Sequence, residues 1–360
     1  MVTDKARIVL TRNTHRYWCV MRILICVISL TAGCTTVIQQ PNSITADTDL
    51  IWPDPPAEQR LAFVMSISGA EDLGIRKRFL QQLREFVSGP RQERLIRPMA
   101  VVESGSDRLF VADPGARGVH LFDLGKRQYR LIQGENGESL PSPVGLAAGL
   151  SGETYVVDSL LAEIYIIESG ATEAKRVPLQ ALLSQPTGLA FHRPSGRIFV
   201  VDTGSHEVKV FSRDGKLLRR IGGRGTAPGK FNYPTMIWMS YGGELLVSDT
   251  LNFRTQVFDV EGNFLRQFGS PGDRAGFQSQ SKGIASDAHG NVYIVDSMQH
   301  AVQIFDSSGR FLYRLGLRGE SVGEFWLPSG IFIGERETIY VADSYNSRIQ
   351  VFRYTGGSSQ

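Results

Sequence analysis

Cysteine is scarce in this chain. Three of its 360 residues are cysteines, Cys19, Cys26 and Cys34, and none follows position 34. The rest of the chain therefore has no disulfide, no thiolate metal site and no cysteine nucleophile. A thiol-free domain suits an oxidising compartment.

An excess of charge is also missing. Residues 1–34 hold five of the 39 Lys and Arg residues and one of the 36 Asp and Glu residues, so residues 35–360 carry a formal charge of −1. That balance argues against nucleic acid or another polyanion as a partner. The chain contains no phosphate loop and no His-Glu-x-x-His, the common sequence signatures of nucleotide-binding proteins and zinc proteases. One Gly-x-Ser-x-Gly match, GESVG at 319–323, stands between two strand patterns and not in the strand-turn-helix context of a serine hydrolase.

A long apolar run is absent as well. The stretch MRILICVISLTAGC at 21–34 has a basic start, an apolar core of about ten residues and a small-residue end, which is typical of a secretory signal and too short for a stable membrane span. With Gly33 before Cys34 it resembles a bacterial lipoprotein signal, although Thr31 stands where leucine is commoner. The resemblance implies a true start at Met21 and lipidation of Cys34. An incidental cysteine in an uncleaved apolar stretch is the alternative interpretation.

These features divide the first 59 residues into a signal peptide over 1–34 and a flexible, proline-containing tether over 35–59. By resemblance to Gram-negative lipoproteins, Thr35 after the cysteine implies sorting to the outer membrane, with the protein facing the periplasm. The predicted location is therefore the bacterial cell envelope, with attachment to the membrane through the lipid on Cys34.

The dominant feature of the remaining sequence is a repeat built around aspartate. The stretch VADSYNSRIQVF at 341–352 recurs as VSDTLNFRTQVF at 247–258, IVDSMQHAVQIF at 294–305 and VVDTGSHEVKVF at 200–211. The same frame fits VVDSLLAEIYII and, more loosely, VADPGARGVHLF earlier in the chain. The intervals between the six aspartates are 45, 44, 47, 47 and 47 residues, a period diagnostic of repeat architecture. The six residues are Asp113, Asp158, Asp202, Asp249, Asp296 and Asp343.

Each unit contains the signals of four strands. It opens with Pro-x-Gly, as at 186–188 and 328–330, or with a variant of this tripeptide, such as Ser281-Lys282-Gly283. It continues through a β-branched and aromatic run that ends at the aspartate, and adds two alternating runs separated by turns such as RDGK and VEGN. Period-2 alternation bounded by Gly, Asn, Asp and Ser predicts antiparallel strands. Four strands in roughly 45 residues predict the blade of a β-propeller. The six units therefore predict an all-β, six-bladed propeller over 97–360.

The sixth unit lacks a fourth strand after IQVF, and an open ring would expose a sheet edge. The segment RLAFVMSISG at 60–69 resembles the outermost strands of the middle units. We therefore predict that residues 61–68 pair with the strand at 348–353 and close the ring.

The region 60–96 also contains EDLGIRKRFLQQLREFVSGP, which predicts one short amphipathic helix before the first blade. Asp72 can cap its start and Gly89-Pro90 can end it. The apolar stripe at helical spacing consists of Ile75, Phe79, Leu80, Leu83 and Val87. The stripe either packs on the propeller or docks the chain to a membrane surface. The basic residues that would assist membrane docking are Arg76, Lys77, Arg78 and Arg84.

The repeat resembles the NHL repeat family. The stretches DTLNFRTQVF and DSYNSRIQVF, with GNFLRQFG and GRFLYRLG nearby, carry the likeness, which is weakest in the first two units. The resemblance implies a β-propeller. It implies no particular activity, because propellers host both enzymes and binding modules.

The repeated aspartates are interpreted as structural, since a side chain that recurs six times is seldom catalytic six times. A carboxylate at a strand end can accept backbone N–H bonds across the following turn. Asn252 and Asn346 tolerate positive φ, and Arg254 and Arg348 can lie over the neighbouring sheet or pair with an acid.

A binding site is expected where the turns between strands two and three meet the links between blades, around the mouth of the channel. The middle residue of Pro-x-Gly is neutral in five units and is Lys282 in the other, where a lone ammonium either binds an anion or carbonyl or is simply solvated. Across the units these residues are Met99, Val144, Thr187, Thr235, Lys282 and Ser329.

The turn after each aspartate adds side chains that suit a binding face, although exposed aromatic residues are also common without function. These turn residues are Arg117, His206, Phe253, His300 and Tyr345.

Together these observations favour a non-enzymatic scaffold that binds a protein or glycan partner in the envelope, with no cofactor and no metal. Only His206 and His300 share the channel face, which is poor support for a three-ligand zinc site. The alternative is a metal-assisted enzyme with its site over the channel, as likeness of fold to streptogramin lyases, amidating lyases and gluconolactonase-like hydrolases implies. The NHL propellers of ubiquitin ligases and RNA-binding regulators are disfavoured, because the chain lacks RING cysteines and a basic face.

Overall fold

The computed structural model describes residues 50–53, 60–75, 93–334 and 336–355, and its regular structure there is almost entirely β-strand. Strands form where Val, Ile, Phe and Tyr dominate, because branched and aromatic side chains pack well on a pleated surface. Twenty-five strands, β1 to β25, fall into six antiparallel sheets that follow one another along the chain.

The first three blades have four strands each. Blade 1 contains β3 (Ala100–Glu103), β4 (Arg108–Asp113), β5 (Gly118–Asp123) and β6 (Gln128–Ile132). Blade 2 contains β7 (Pro143–Ala148), β8 (Thr154–Asp158), β9 (Glu163–Ile167) and the short β10 (Lys175–Arg176). Blade 3 contains β11 (Pro186–His192), β12 (Arg197–Asp202), β13 (Glu207–Phe211) and β14 (Leu217–Gly222).

The last three blades complete the ring. Blade 4 contains β15 (Pro234–Met239), β16 (Leu245–Asp249), β17 (Arg254–Phe258) and β18 (Phe264–Phe268). Blade 5 contains β19 (Ser281–Ser286), β20 (Val292–Asp296), β21 (Ala301–Phe305) and β22 (Phe311–Leu315). Blade 6 contains β23 (Ile331–Ile333), β24 (Thr338–Asp343), β25 (Arg348–Tyr354), β2 (Leu61–Ile67) and β1 (Ile51–Trp52).

The blades form a closed ring. The first strand of every blade contacts the first strand of the next, from β3 through β7, β11, β15 and β19 to β23, and β23 contacts β3. The core is correspondingly divided into six apolar clusters, one at each interface between neighbouring blades. The predicted all-β, six-bladed propeller with four-stranded antiparallel blades is confirmed.

The N-terminal part of the described chain supplies the fourth strand of blade 6. Strand β2 pairs antiparallel with β25, from Leu61 opposite Tyr354 to Ile67 opposite Ile349. The predicted closure is therefore present, and it extends by one short strand, because β1 pairs with β2. Trp52 of β1 packs edge-on against Phe352, with ring centroids 5.6 Å apart. This end of the predicted 35–59 tether is thus part of blade 6 rather than a free linker.

One turn of 3-10 helix, Ala70–Leu73, follows β2. The Asp72 carboxylate accepts the N–H groups of Ser68 at 2.7 Å and Gly69 at 3.0 Å, and Ile75 is buried between blades 6 and 1. The rest of the predicted amphipathic helix lies outside the described residues, as do the predicted signal peptide and Cys34. Among the helices of the described part, none has the length and hydropathy to cross a membrane.

All six repeated aspartates are fully buried and fasten the loop that leads into their own blade. Each carboxylate accepts a backbone N–H from a residue 16 to 18 positions earlier, at 2.6 to 3.0 Å. The six donors are Ile96, Ser142, Ser184, Asn232, Ser279 and Trp326. Such charge-assisted bonds are the stronger kind of hydrogen bond. The aspartates therefore set the path of the chain between blades, in addition to the turn bonds that the sequence predicted.

Blades 4 and 6 add a side-chain network to this arrangement. The Asp249 carboxylate also accepts from Asn252 at 2.8 Å, Arg254 Nε at 2.7 Å and Gln256 at 2.9 Å. The guanidinium of Arg254 then donates to loop carbonyls, including that of Lys230 at 2.9 Å. Asp343 has the corresponding partners Asn346, Arg348 and Gln350.

Asn252 and Asn346 were expected to have positive φ, but in each turn it is the next residue that does. The left-handed residues in these turns are Phe253 (φ 56°) and Ser347 (φ 53°), whereas the Asn252 and Asn346 side chains bind their aspartates. In these two blades the 3-10 turn after the aspartate ends at the asparagine, and the next residue caps it in the left-handed conformation.

The position seven residues after each aspartate holds the chief variation between blades. Gln256, Gln303 and Gln350 occupy it in blades 4, 5 and 6, whereas Lys209 occupies it in blade 3 and pairs with Asp202 at 2.5 Å. In blade 1 it is His120, whose Nε2 lies 3.3 Å from Asp113 and whose Nδ1 lies 2.9 Å from the Tyr129 hydroxyl. The remaining residue at this position, in blade 2, is Tyr165.

Burial alone would raise the pKa of Asp202, but the opposing hydrogen bonds prevail. The Lys209 ammonium, the Gln185 and Ser184 N–H groups and the Ser205 hydroxyl stabilise the ionised carboxylate, so its pKa is lowered below the usual value. The pKa of Asp113 is lowered for the same reason, since His120 and two backbone N–H groups outweigh the effect of burial.

Replacing Leu61 by alanine tests the closure. Leu61 is fully buried between blades 5 and 6, so its truncation leaves a cavity and should lower the free energy of unfolding by about 2–5 kcal/mol. Urea unfolding followed by circular dichroism measures the change. The control is Leu182→Ala, because Leu182 is 92% exposed and its truncation should change stability by less than about 0.5 kcal/mol. A Leu61→Ala protein as stable as the wild type would contradict the closure.

Substitutions at Asp202 and Lys209 test the structural role of the aspartates. Asp202→Asn leaves a buried ammonium unpaired and should lower the free energy of unfolding by about 3–5 kcal/mol. Lys209→Gln should cost about 1 kcal/mol, because a glutamine at this position already bonds the aspartate in blades 4 and 6. The double variant should be more stable than Asp202→Asn alone, since it buries no unpaired charge.

The pH dependence of unfolding provides the control for this pair. A carboxylate with a lowered pKa stabilises the fold above the pKa of the unfolded chain, and that stability is lost as the pH falls below about 4. The Asp202→Asn and double variants should therefore lose less stability than the wild type between about pH 5 and 2. Additive effects in the double variant, with an unchanged acid dependence, would refute this role for Asp202.

Candidate functional site

The links between blades, as far as the structure describes them, lie on one face of the ring. The second strand of each blade ends at its aspartate, the fourth strand returns to the same end, and the next blade starts there. We call this surface the aspartate-end face. It consists of the turn after each repeated aspartate and the loop that leads from each fourth strand to the next first strand.

The residue four positions after each aspartate closes the turn with positive φ. These six residues are Arg117, Ala162, His206, Phe253, His300 and Ser347. Four of the five turn residues predicted from the sequence therefore occupy the same position in their turns. They are Arg117, His206, Phe253 and His300. Tyr345 does not share this position, because it lies two residues after Asp343, at the tip of its turn, and Ser347 occupies the position equivalent to Phe253.

Both predicted histidines support the next loop rather than an open site. His206 is buried, and its Nδ1 accepts the N–H of Tyr233 at 3.0 Å. His300 Nδ1 accepts the N–H of Leu327 at 3.1 Å, and burial and the nearby Arg318 lower its pKa. A ring nitrogen that accepts an N–H carries no proton, so Nδ1 of each ring is occupied as an acceptor in this arrangement. Within the described ranges, no group of three or more His, Cys, Asp or Glu residues could hold a metal ion.

In four blades the residue at the turn tip, two positions after the aspartate, has a large apolar side chain that is exposed to solvent. Leu160 is 72% exposed, Leu251 47%, Met298 61% and Tyr345 53%, while blades 1 and 3 have glycine there. Sequence comparison could have found this set, because it recurs at a fixed offset from the aspartates. Only Tyr345 of this set is among the site residues predicted from the sequence.

Exposed apolar side chains are concentrated on this face. In the described part of the chain, ten of seventeen exposed large apolar residues lie in its turns and loops, against three in the turns of the opposite face. The ten are Ile96, Leu160, Leu161, Leu182, Tyr233, Leu251, Phe277, Met298, Leu317 and Tyr345. The three opposite residues are Leu124, Leu150 and Tyr241.

The middle residues of Pro-x-Gly lie at the start of the first strands, which border the channel. In blades 2 to 5 this residue is a bulge, because the pairing register shifts across it. Bulges re-aim a side chain relative to its strand. The threonines at this position point to the next blade: Thr187 Oγ1 donates to the Thr235 carbonyl at 2.7 Å, and Thr235 Oγ1 donates to the Ser281 carbonyl at 2.9 Å.

A hydroxyl that directly follows the aspartate reinforces these links. Thr203 donates to the Pro234 carbonyl at 2.6 Å, and Ser344 donates to the Pro98 carbonyl at 2.6 Å, which joins blade 6 to blade 1. The hydroxyl residues of Pro-x-Gly were predicted from the sequence as neutral rim residues, but the hydroxyls that follow the aspartates were not. Their pairing with the Pro-x-Gly hydroxyls was missed, because it depends on which first strands are neighbours in the ring.

Blades 1 and 4 have Ala100 and Met236 at the third position of this motif, whereas in blades 5 and 6 the close approach of neighbouring first strands requires glycine there. A Cβ at Gly283 would lie 2.4 Å from the Ser329 carbonyl oxygen, and a Cβ at Gly330 would lie 2.4 Å from that of Met99. Both distances are shorter than real contacts, so the backbone would have to move.

Two aromatic rings fill the channel below this rim. Trp238 of blade 4 and Phe332 of blade 6 meet edge-to-face with ring centroids 5.6 Å apart, although blade 5 separates their blades in the chain. The Trp238 indole N–H also donates to Ser286 of blade 5 at 3.1 Å. Trp238 and Phe332 lie three residues further along their own strands than Thr235 and Ser329, which places them about 10 Å deeper in the channel. The channel mouth is therefore a recess with an aromatic floor.

A separate concavity between blades 1 and 2 is a weaker candidate. Its lining includes Arg108, Asp123 and Glu168. Arg108 donates to the Gly152 carbonyl at 3.1 Å, Asp123 lies 3.6 Å from Lys126, and Glu168 lies 3.6 Å from the ammonium of a neighbouring lysine. These three charges are already paired, so we place the candidate site on the aspartate-end face.

Two family models match parts of the chain. The model described as a 6-bladed beta-propeller matches residues 281–359, and the model described as an NHL repeat matches residues 183–211. A comparison with curated proteins gives no match.

Solved structures share the fold at low sequence identity. Virginiamycin B lyase from Staphylococcus aureus is 16% identical with a TM-score of 0.52, covering 73% of this chain and 86% of that chain. A gluconolactonase from Xanthomonas campestris is 14% identical with a TM-score of 0.57, covering 72% and 86%. An auxiliary nutrient binding protein from Bacteroides thetaiotaomicron is 13% identical with a TM-score of 0.57, covering 73% and 70%. At these identities the likeness shows the fold alone. With the two family matches and the sheet order, it makes this chain a six-bladed β-propeller that contains NHL repeat sequence.

Proposed function

We propose that the chain is a binding scaffold of the cell envelope that docks a partner protein on its aspartate-end face. The observation that carries this proposal is the unequal distribution of exposed large apolar residues among the described residues, ten on this face and three in the turns of the opposite face. Exposed apolar surface concentrated on one face is unfavourable in water and marks interaction sites.

The composition of the face supports a protein rather than a glycan as the partner. Of the ten exposed large apolar residues described on this face, six are aliphatic and one is methionine, with Leu160, Leu251 and Met298 at the turn tips. Aliphatic side chains and methionine pack against other apolar side chains, which a protein partner can supply and a hydroxyl-rich sugar cannot. The buried carboxylates beneath the turns hold these tips in place, so little ordering is required on binding.

The related folds include enzymes as well as a binding protein, and the fold admits either function. The predicted metal-assisted alternative relied on His206 and His300. Each uses Nδ1 to accept a backbone N–H, so these rings serve the loops of the scaffold. This arrangement supports binding over the catalytic alternative.

Attachment to the envelope through Cys34 is the second part of the proposal. It is supported by the short apolar stretch that ends at Cys34 and by the absence of cysteine from all later residues. Membrane attachment by acyl chains would hold the propeller near the membrane without a spanning helix.

Cross-linking from the two faces tests the docking proposal. A photoreactive residue placed at Leu251 or Met298 in the full chain, in the cells that produce it, should cross-link one and the same protein. The same residue placed at Leu150 or Tyr241, on the opposite face, should not. The double substitution Leu251→Asp and Met298→Asp should weaken binding of that purified partner by about tenfold or more, because it puts charge into an apolar contact.

The matched control is Leu150→Asp with Tyr241→Asp, which should leave the affinity within about twofold. Equal cross-linking from both faces, or none from either, would overturn the proposal. A cross-linked product that consists of two copies of this chain would also overturn it, in favour of self-association.

Cell fractionation tests the anchor. Cys34→Ser removes the only thiol at the predicted cleavage site, so the protein should move from the membrane fraction to the soluble envelope fraction and lose incorporation of a labelled fatty acid. Cys26→Ser should keep both properties. Unchanged labelling of the Cys34→Ser protein would rule out lipidation at this residue.

A further inference from the structure

Lys282 occupies the position where the other blades carry a neutral side chain. It is the bulge residue of β19, so the register shift re-aims its side chain as it does for Thr187 and Thr235. It is half-buried at the channel rim. The ring of hydroxyl and apolar side chains therefore contains one ammonium.

This ammonium has no partner among the described residues, where it makes neither a hydrogen bond nor an ion pair. The other buried cations of the fold are paired: Lys209 lies 2.5 Å from Asp202, and Arg254 lies 2.7 Å from Asp249. An unpaired charge that has lost part of its water is unfavourable, and burial lowers the pKa of Lys282 below its usual value.

The surroundings of Lys282 suit an anion with an apolar body. Beside it, the carbonyl of Ser281 already accepts the hydroxyls of Thr235 and Thr250, and Ser329 Oγ already bonds Met99 and Ser344. These hydroxyl and carbonyl groups are therefore already hydrogen-bonded to the protein. Lys282 is the only cation at the six rim positions. Met99 and Val144 on the rim and the aromatic pair below provide apolar surface.

We propose that the channel mouth binds an organic monocarboxylate whose carboxylate pairs with Lys282 and whose apolar part lies over the recess. One ammonium balances one negative charge, whereas a dianion such as phosphate would place its second charge against carbonyl oxygens. The carboxylate can come from a free small acid or from the C-terminus of a peptide. This site goes beyond the docking of a partner protein and does not depend on it.

Binding of a carboxylate at this site should be coupled to protonation of Lys282. The pKa of Lys282 is lowered in the free protein, and a carboxylate partner favours the charged form and raises it. Binding should therefore take up a proton when Lys282 is partly neutral. Affinity should decrease as the pH rises through the pKa of the free lysine, approaching tenfold per pH unit, on the order expected for one proton.

Calorimetric titration of the full chain with defined probes tests the site. The acids are benzoate and hexanoate, and their neutral matches are benzamide and hexanamide. The peptide probes are Ala-Leu-Phe with a free C-terminus and the same peptide as its C-terminal amide. At neutral pH at least one acid or the free peptide should bind, and its amide should bind at least about tenfold more weakly.

Lys282→Met should weaken that binding by about tenfold or more. Lys230→Met is the matched control, because Lys230 is an exposed lysine on the same face whose Nζ bonds the Gly222 carbonyl at 2.7 Å, and it should change affinity less than about twofold. Proton uptake on binding is a second measurement, and it can be made on the wild-type protein alone. Titration in buffers of different ionisation enthalpy, at a pH where the free lysine is partly neutral, should report proton uptake.

The free acids and the peptide distinguish the two sources of the carboxylate. Binding of the small acids alone points to a metabolite, and binding of the peptide alone points to a chain terminus; both outcomes support the site. The proposal is overturned if no probe binds, if the amides bind as well as the acids, or if Lys282→Met binds like the wild type. Loss of partner docking in the Leu251→Asp and Met298→Asp protein leaves these titrations unchanged, so the two proposals fail separately.

Discussion

The buried carboxylate at the end of each second strand is the interaction on which the rest of the structure depends. It accepts a backbone N–H from the incoming loop, and in blades 4 and 6 it also accepts from an asparagine, an arginine and a glutamine. A buried charge is tolerated only when such donors surround it. The same bonds fix the loop between blades, the left-handed turn that follows and the exposed tip of that turn. A structural carboxylate thus places the surface to which we assign binding.

Closure of the ring depends on contacts that are distant in the chain. Strand β2 completes blade 6, and the serine hydroxyls of blade 6 bind the carbonyls of Pro98 and Met99 in blade 1. The apolar clusters on both sides of blade 6 include residues from the N-terminal strand. Since all six clusters lie between blades, each blade is stabilised mainly by its neighbours.

The period of the aspartates was enough to predict the number of blades, and the missing fourth strand was enough to predict the closure by residues 61–68, of which 61–67 form the strand. Both inferences use chain order and strand alternation, which sequence records directly. Contacts between blades were not predictable in this way. The Thr187 and Thr235 hydroxyls, the Trp238–Phe332 pair and the loop bonds of His206 depend on neighbours in the ring. Lys282 was singled out because it broke the pattern, but its lack of a partner is a property of the folded rim.

Rigidity of the aspartate-end face is the central claim, and hydrogen exchange tests it most directly. The measured quantity is the protection of the six loop amides that donate to the buried carboxylates: Ile96, Ser142, Ser184, Asn232, Ser279 and Trp326. The account predicts that these amides exchange about as slowly as the amides of the second and third strands, because they open only when a blade unfolds. Exchange at the rate of exposed turns on the opposite face would contradict it.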